Sequence, residues 1–329
     1  VLLVLGELAR RRELPGVGSD GGLGWSHKLA STLGNMATVY YMQQDMNQAE
    51  DAIRDSIAIR KETPLAGTTI PQYQYALAGD YFTLKNALLG QRQIPDAEQA
   101  LDHAAEIMEP LVAQFPDNVP YHLLLAKVYY ARGRTSMFGQ RYPDSVSWFD
   151  LAIPLLEHLA SRVPGDVQIA LILQHACELR GESGLRSGDD QAGLADWDRV
   201  MEIARPQDLG RLRFSRAAIN AETGRYQRAV ELADQMVELV HQGTDDPSST
   251  TFSAIRVYVL AADAVAVDES IPDERRTAQV NRYLERALTL LRSMSANGLL
   301  ESPEIQQFLS TGEEMRRLRE HPEFRSVLR

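Results

Sequence analysis

The chain repeats itself at an interval of 48 residues. EPLVAQFPDNVPYHLLLA (residues 109–126) returns as EHLASRVPGDVQIALILQ (residues 157–174), which sets Glu109 on Glu157, Leu111 on Leu159, Pro116 on Pro164 and Tyr121 on Ile169. The same step carries IPDAEQALDHA (94–104) onto YPDSVSWFDLA (142–152), and Arg132-Gly133 onto Arg180-Gly181. One step earlier, Ala49, Ile53 and Ser56 fall on Ala97, Leu101 and Ala104. One step later, Gly193, Trp197 and Val200 fall on Ser145, Phe149 and Ala152, so four units share one register. A unit of this size cannot bury its apolar face alone, so successive units must lie against one another.

Each unit reads as two helices. Apolar residues recur at three- and four-residue spacing, and strand-like alternation is scarce. A small residue opens each second helix: Ala49, Ala97, Ser145, Gly193 and, in ETGRYQRAVELAD, Ala229. Two antiparallel helices joined by a tight turn approach most closely near that turn, where a large side chain would push them apart. Four residues later a larger apolar side chain (Ile53, Leu101, Phe149, Trp197) lies on the same helix face and fills the wider gap. The pattern predicts helix pairs over 26–44 with 47–62, 71–91 with 95–114, 119–138 with 143–162, 167–186 with 190–204, 208–222 with 226–241, and 251–267 with 274–295. PGVGSDGGLG (15–24) and QGTDDPSST (242–250) read as loops, and short helices over 303–328 close the stack. Pro95 and Pro143 suit first-turn positions. Pro110 and Pro154 fall inside second helices and predict kinks or breaks there.

These residues resemble the tetratricopeptide repeat, with its small residue opening the second helix, Gly-Arg-Tyr-like turn and closing proline. Residues 223–238 match best, and the resemblance extends weakly over 25–292. The family's unit is about 34 residues, so a unit of 48 exceeds it by about 14, close to four helical turns. Two extra turns on each helix lengthen the hairpin without rotating its apolar faces. Pro71-Gln72-Tyr73, the break at residues 115–117 and the closing LREHPEFRSVLR are also similar in style to repeat regions behind the kinase domain of large bacterial Ser/Thr protein kinases. That resemblance implies a catalytic domain preceding Val1 in a longer chain. No kinase motif occurs in this one.

Composition and motifs restrict the chemistry. Net charge is −11, with 45 acidic residues against 34 Lys and Arg, which argues against a nucleic-acid partner. The single cysteine, Cys177, excludes a disulfide framework and a multi-thiolate metal site within one chain. It occupies the packing position of Tyr81 and Tyr129 and reads as a buried thiol. No apolar run reaches the length of a membrane helix. VLLVLGELARRR at the start reads either as the tail of a membrane helix or as half of a truncated soluble one, and the chain as a fragment of something longer. Cytoplasmic placement is the expectation. GVGSDG (16–21) has dinucleotide-site spacing but lacks the required βαβ context. His27, His103, His122, His158, His175, His241 and His321 are dispersed. Asp189-Asp190, Asp245-Asp246 and Glu313-Glu314 read as helix starts and solvated surface. Trp148 and Trp197 read as hairpin packing residues. No serine elbow, phosphate loop or zinc motif appears, so neither catalysis nor a metal or other cofactor is expected.

The fold class expected is all-α: a right-handed solenoid of about six antiparallel helix hairpins. A terminal segment and linker occupies 1–25, the repeat array 26–300, and capping helices 301–329. The tetratricopeptide resemblance implies a non-catalytic scaffold whose first helices line a groove for a protein or peptide partner. Carried over position by position, it assigns partner contact to Phe82 and Asn86, to Lys127, Tyr130 and Arg134, to His175, Glu178 and Glu182, and to Arg211 and Phe214. The family's carboxylate clamp needs Lys and Asn where this chain has Gly34 and Thr38, so that specificity is not implied. The kinase resemblance implies instead a regulatory arm.

Overall fold

The computed structural model describes residues 21–62 and 70–327, with the side chains of 21–25, Arg325 and Ser326 excepted. The opening VLLVLGELARRR and most of the GVGSDG stretch lie outside the described residues. Helices account for every regular element among the described residues. They are α1 (Gly21–Met42), α2 (Met46–Glu62), α3 (Pro71–Gly90), α4 (Ile94–Gln114), α5 (Val119–Phe138), α6 (Tyr142–Arg162), α7 (Val167–Ser187), α8 (Asp190–Ile203), α9 (Leu209–Glu222), α10 (Tyr226–His241), α11 (Pro247–Val267) and α12 (Asp273–Ala296). Shorter helices follow: α13 (Pro303–Thr311), α14 (Arg316–Glu320) and α15 (Phe324–Val327), with 3₁₀ turns at Pro206–Asp208 and Glu313–Met315. The chain forms two compact units that divide between Ser183 and Gly184, inside α7.

One backbone device repeats at the five hairpin turns from α1–α2 to α9–α10. Gln44, Arg92, Gln140 and Gly188, each 48 residues after the last, are left-handed, with φ of 63°, 62°, 56° and 89°. Gly224 follows 36 residues later with φ of 82°. The next residue's N–H then reaches back five positions: Asp45 to Tyr40, Gln93 to Leu88, Arg141 to Ser136, Asp189 to Gly184 and Arg225 to Asn220, at 2.8–2.9 Å. This is the Schellman closure, which satisfies carbonyls that a helix end otherwise leaves unpaired. The same residue's carbonyl accepts from the small residue of the following helix: Ala49, Ala97, Ser145, Gly193 or Ala229. One residue thus ends one helix and begins the next.

The small residues are buried, as close approach requires. A Cβ on Gly184 would stand 3.2 Å from the Cα of Gly193, and one on Gly133 would stand 2.8 Å from the Phe149 ring. Ile53, Leu101, Phe149 and Trp197 are at most 1% exposed and fill the gap. Between the turns at Gly188 and Gly224, α8 and α9 have 14 residues each, whereas the 48-residue units have helices of 20 and 21. The longer period is therefore about two added turns per helix.

In the first unit α1 pairs with α2, α3 with α4 and α5 with α6, while α2 rests on α3 and α4 on α5. Ion pairs join consecutive hairpins in register. Asp102 on α4 accepts from Arg132 on α5 at 2.7 Å, and one repeat later Asp150 on α6 accepts from Arg180 on α7 at 2.7 Å. Between α1, α2 and α3, buried Asp80 accepts from Ser56 and from Arg60, both at 2.6 Å. Burial nevertheless raises the Asp80 carboxyl above its ordinary value, outweighing these partners. In the second unit α9 pairs with α10, α10 lies against α11, and α11 pairs with α12. Ile305, Leu309, Met315, Leu318, Phe324 and Val327 of the closing helices join their core.

Several expectations need correction. Pro110 and Pro154 do not end their helices, which continue to Gln114 and Arg162. Both prolines are exposed, so water can satisfy the carbonyls they leave unpaired. Gly21–Gly24 belong to α1, because extending an existing helix by a residue is far easier than nucleating one. The stretch 242–250 is loop only to Asp246, which caps α11 by accepting from the Ser249 N–H at 2.7 Å, with Pro247 in the first turn. Helix α11 is long and apolar enough to cross a membrane by length and composition, but much of it lies buried against α10 and α12.

The turn geometry makes a signed prediction for urea unfolding of the whole chain. Gly188→Ala places its Cβ in open space, so only the left-handed backbone resists it, at a cost of about 1 kcal/mol. Gln140→Gly relieves the same strain and raises stability by about 0.5 kcal/mol after the extra glycine entropy. Shifts of equal sign would contradict the shared turn. Gly133→Ala is expected to cost about 1–3 kcal/mol by forcing Phe149 aside, and less in a Phe149→Leu background.

Candidate partner-binding face

The residues assigned to partner contact in the first unit lie on α3, α5 and α7, the first helices of successive pairs; α1 touches α3, and α3 touches α5. Phe82 and Asn86 are half-buried on α3. On α5, Lys127 is half-buried and donates to Gln168 Oε1 at 3.2 Å. Tyr130 is half-buried, with the exposed Arg134 guanidinium 5.7 Å from its ring centre. Arg134 also lies 6.0 Å from the ring of Phe138, which is 65% exposed. Glu178 is half-buried and close enough to Tyr130 to oppose ionisation of its phenol, which burial already holds above its ordinary value.

Geometry therefore brings Phe82, Tyr130, Arg134 and Glu178 towards one another across α3, α5 and α7. His175 is exposed and Glu182 half-buried on α7. Arg211 and Phe214 belong to the second unit. Arg211 is exposed, and Phe214 is half-buried beneath the Arg256 guanidinium at 4.0 Å. Arg256 in turn donates to Glu314 at 2.9 Å. In the first unit Gly34 packs against Asp80, and the Thr38 hydroxyl donates to the Gly34 carbonyl at 3.2 Å, so neither presents a clamp.

One residue of this face escaped the sequence reading. Lys85 on α3 is 8% exposed, and its ammonium sits 3.7 Å from the centre of the Phe82 ring. Among the described residues no carboxylate lies within ion-pair distance of it. Burial, and secondarily the charge of Arg134, pull its pKa down to about 8. The signal was present in the repeat register. The equivalents of Lys85 are Ala37, Gly133 and Gly181, so a lysine stands where three other units hold a residue with almost no side chain.

Other polar groups have structural roles. Asp189 and Asp246 cap α8 and α11, Asp190 pairs with Arg225, Asp245 with Arg213, and Glu314 with Arg256. Cys177 is fully buried while His175 is exposed, on different sides of α7. His122 and His158, distant in sequence, bring their rings to 5.5 Å, and burial lowers the His122 pKa. No group of three His, Cys, Asp or Glu side chains suited to a metal ion occurs among the described residues. A cavity of about 340 Å³ between α2, α3 and α4 is lined by Lys61, Tyr81 and His103 among others, and by none of the assigned contact residues.

No protein-family model matches the chain. No curated protein matches it either. Among solved structures, the apo form of RapI is similar, with a TM-score of 0.50 and 11% identity over 91% of this chain and 98% of that one. Aspartyl phosphate phosphatase F from Bacillus subtilis gives 0.48 and 14% over 80% of this chain, which spans 60% of the phosphatase's length. The nuclear import adaptor Nro1 of S. pombe gives 0.39 and 15% over 88% of this chain and 99% of that one. At such identity the likeness to RapI bears on the fold alone, and it agrees with an all-α fold of tetratricopeptide-like helical repeats.

Lys85 yields a prediction with a defined pH window. Its pKa falls from 10.5 in the unfolded chain to about 8 in the folded one, so folding is penalised by on the order of 3 kcal/mol while both states are protonated. The folded protein releases the proton first, so this penalty is full below pH 8 and fades as pH rises towards 10.5. Lys85→Met should therefore be more stable than the parent at pH 7, by about 1–3 kcal/mol. The difference should shrink in denaturation curves recorded at pH 9 and 10; one that grows with pH contradicts the assignment.

Proposed function

We propose that this chain is a non-catalytic scaffold that binds a protein or peptide partner on the first-helix face of its first unit. One contrast carries the reading. Cations between consecutive hairpins are matched to acids, as Arg132 is to Asp102 and Arg180 to Asp150. Lys85 and Arg134, beside Phe82, Tyr130 and Phe138, have no carboxylate at ion-pair distance among the described residues. Aromatic and arginine side chains are the groups that dominate binding energy at protein interfaces. The helical-repeat fold supports this reading, since stacking leaves the outward positions of the first helices free of packing duty.

A regulatory arm serving a kinase domain is a narrower version of the same scaffold, and it rests on the resemblance of the sequence alone. The general reading is tested by partner capture with purified full chain. Lys127→Glu and Arg134→Glu should each reduce recovery of bound protein tenfold or more, whereas Ser147→Glu, on the exposed side of α6, should leave it unchanged. Equal recovery from all three variants removes the face from consideration.

A further inference from the structure

We propose that Lys85, together with Arg134, forms an anion site on the first-helix face, and that its ligand is the carboxylate of an acidic side chain in a partner peptide. The proposal rests on the scaffold reading and adds the chemistry of what is held.

The repeat register shows how unusual Lys85 is. Its equivalents Ala37, Gly133 and Gly181 are all buried, and at Gly133 even a Cβ would stand 2.8 Å from Phe149. The residue equivalent to Phe149 in the Lys85 hairpin is the smaller Leu101. The arrangement still costs stability, because a buried ammonium without a carboxylate loses hydration and gains no counter-charge. The Phe82 ring face offsets part of that loss. Arg134, on the neighbouring first helix, adds repulsion.

A lysine with a purely structural role would be expected to have an acid beside it. Such pairing occurs on the same helix, where buried Asp80 is given Arg60 and Ser56. With 45 acidic residues in the chain, a counter-charge is easily supplied, yet neither cation has a carboxylate at ion-pair distance among the described residues; the one acid of the group, Glu178 on α7, acts on the Tyr130 phenol. An external anion completes the site. A compact ammonium and a forked guanidinium suit a carboxylate. Phe82 and the rings flanking Arg134 offer apolar surface to the stem and neighbours of an acidic side chain. A peptide carboxylate fits this mixture of one deep cation, one exposed cation and three rings better than a strongly hydrated free phosphate.

The sequence provides a clean readout. It has four lysines, Lys28, Lys61, Lys85 and Lys127, so full-length protein labelled with ¹³C-lysine gives few ε-methylene signals, and Lys85→Met assigns the one of interest. The probes are end-blocked pentaglutamate, end-blocked pentaglutamine and inorganic phosphate. Pentaglutamate should move the Lys85 signal saturably, and pentaglutamine should not. By calorimetry, Lys85→Met and Arg134→Gln should each weaken pentaglutamate binding at least tenfold, with unchanged circular dichroism. Because Arg134 is exposed, its variant keeps the test valid even if Lys85→Met fails to fold. A stationary Lys85 signal, equal response to pentaglutamine, or tighter binding of phosphate than of pentaglutamate at Lys85 overturns the proposal. If glutamate binding fails while partner capture still depends on Lys127 and Arg134, the anion site falls and the scaffold reading stands. If capture is indifferent to the face while pentaglutamate still binds Lys85, the reverse holds.

Discussion

The structure depends on how closely two helices can approach beside a left-handed turn. At Gln44, Arg92, Gln140, Gly188 and Gly224 the chain leaves one helix through a Schellman closure. It enters the next helix within two residues. That reversal brings backbones together near the turn, and only alanine, serine or glycine fits at the first buried position of the second helix. Where the approach is closest, at Gly184 and Gly193, both partners lack a side chain. The larger residue one helical turn later is a consequence of the same geometry, since the helices diverge away from the turn and leave a widening gap. Three of these left-handed positions carry Gln or Arg despite the steric cost. The hydrogen bonds and packing fixed by the turn outweigh that local strain.

A second constraint acts between hairpins. In the first unit α2 lies against α3 and α4 against α5, and in the second α10 lies against α11, so equivalent positions meet equivalent positions and the repeat is visible in contacts as well as in residues. The Asp102–Arg132 pair recurs as Asp150–Arg180. Another slot keeps its location while changing its chemistry. Lys61 lies 5.3 Å from the ring of Tyr81, and one repeat later Glu109 accepts from the hydroxyl of Tyr129 at 2.8 Å. Charge at such a slot can change sign because the tyrosine offers a π face to a cation and a hydroxyl to an anion. Its location cannot shift, because the turns fix the stagger of the helices.

The parts of this architecture governed by period were legible in the sequence. Residues of the same size recur at the same phase, so the close approaches at Ala49, Ala97, Ser145 and Gly193 follow from spacing alone. The lengths of α3 to α6 follow likewise from a 48-residue period. The parts governed by solvent exposure or by cooperativity were not legible. Pro110 and Pro154 look disruptive until their exposed position on the helix is known. The first turn of α11 looks like loop until Asp246 is seen to cap it. The proposed binding face could be written as a set of helix positions but not as a site. The tetratricopeptide resemblance assigns Phe82, Tyr130 and Arg134 to partner contact, while leaving unstated which of them meet.

Lys85 shows why that last step needs coordinates. A motif search passes over a solitary lysine in an apolar helix, and the family resemblance treats its position as packing. The repeat supplies the missing reference: three units show what the position holds when its only duty is to let helices pack, and the fourth departs from them. Structure then shows that the departure is not absorbed by an ion pair. Local choices in a natural sequence mostly agree with the fold, and departures that cost stability without a structural return concentrate where something else must bind. Under the proposed anion site, the buried ammonium beside an exposed guanidinium is such a departure. In a fold built from near-copies, the unit that breaks the pattern is where the proposed anion site falls.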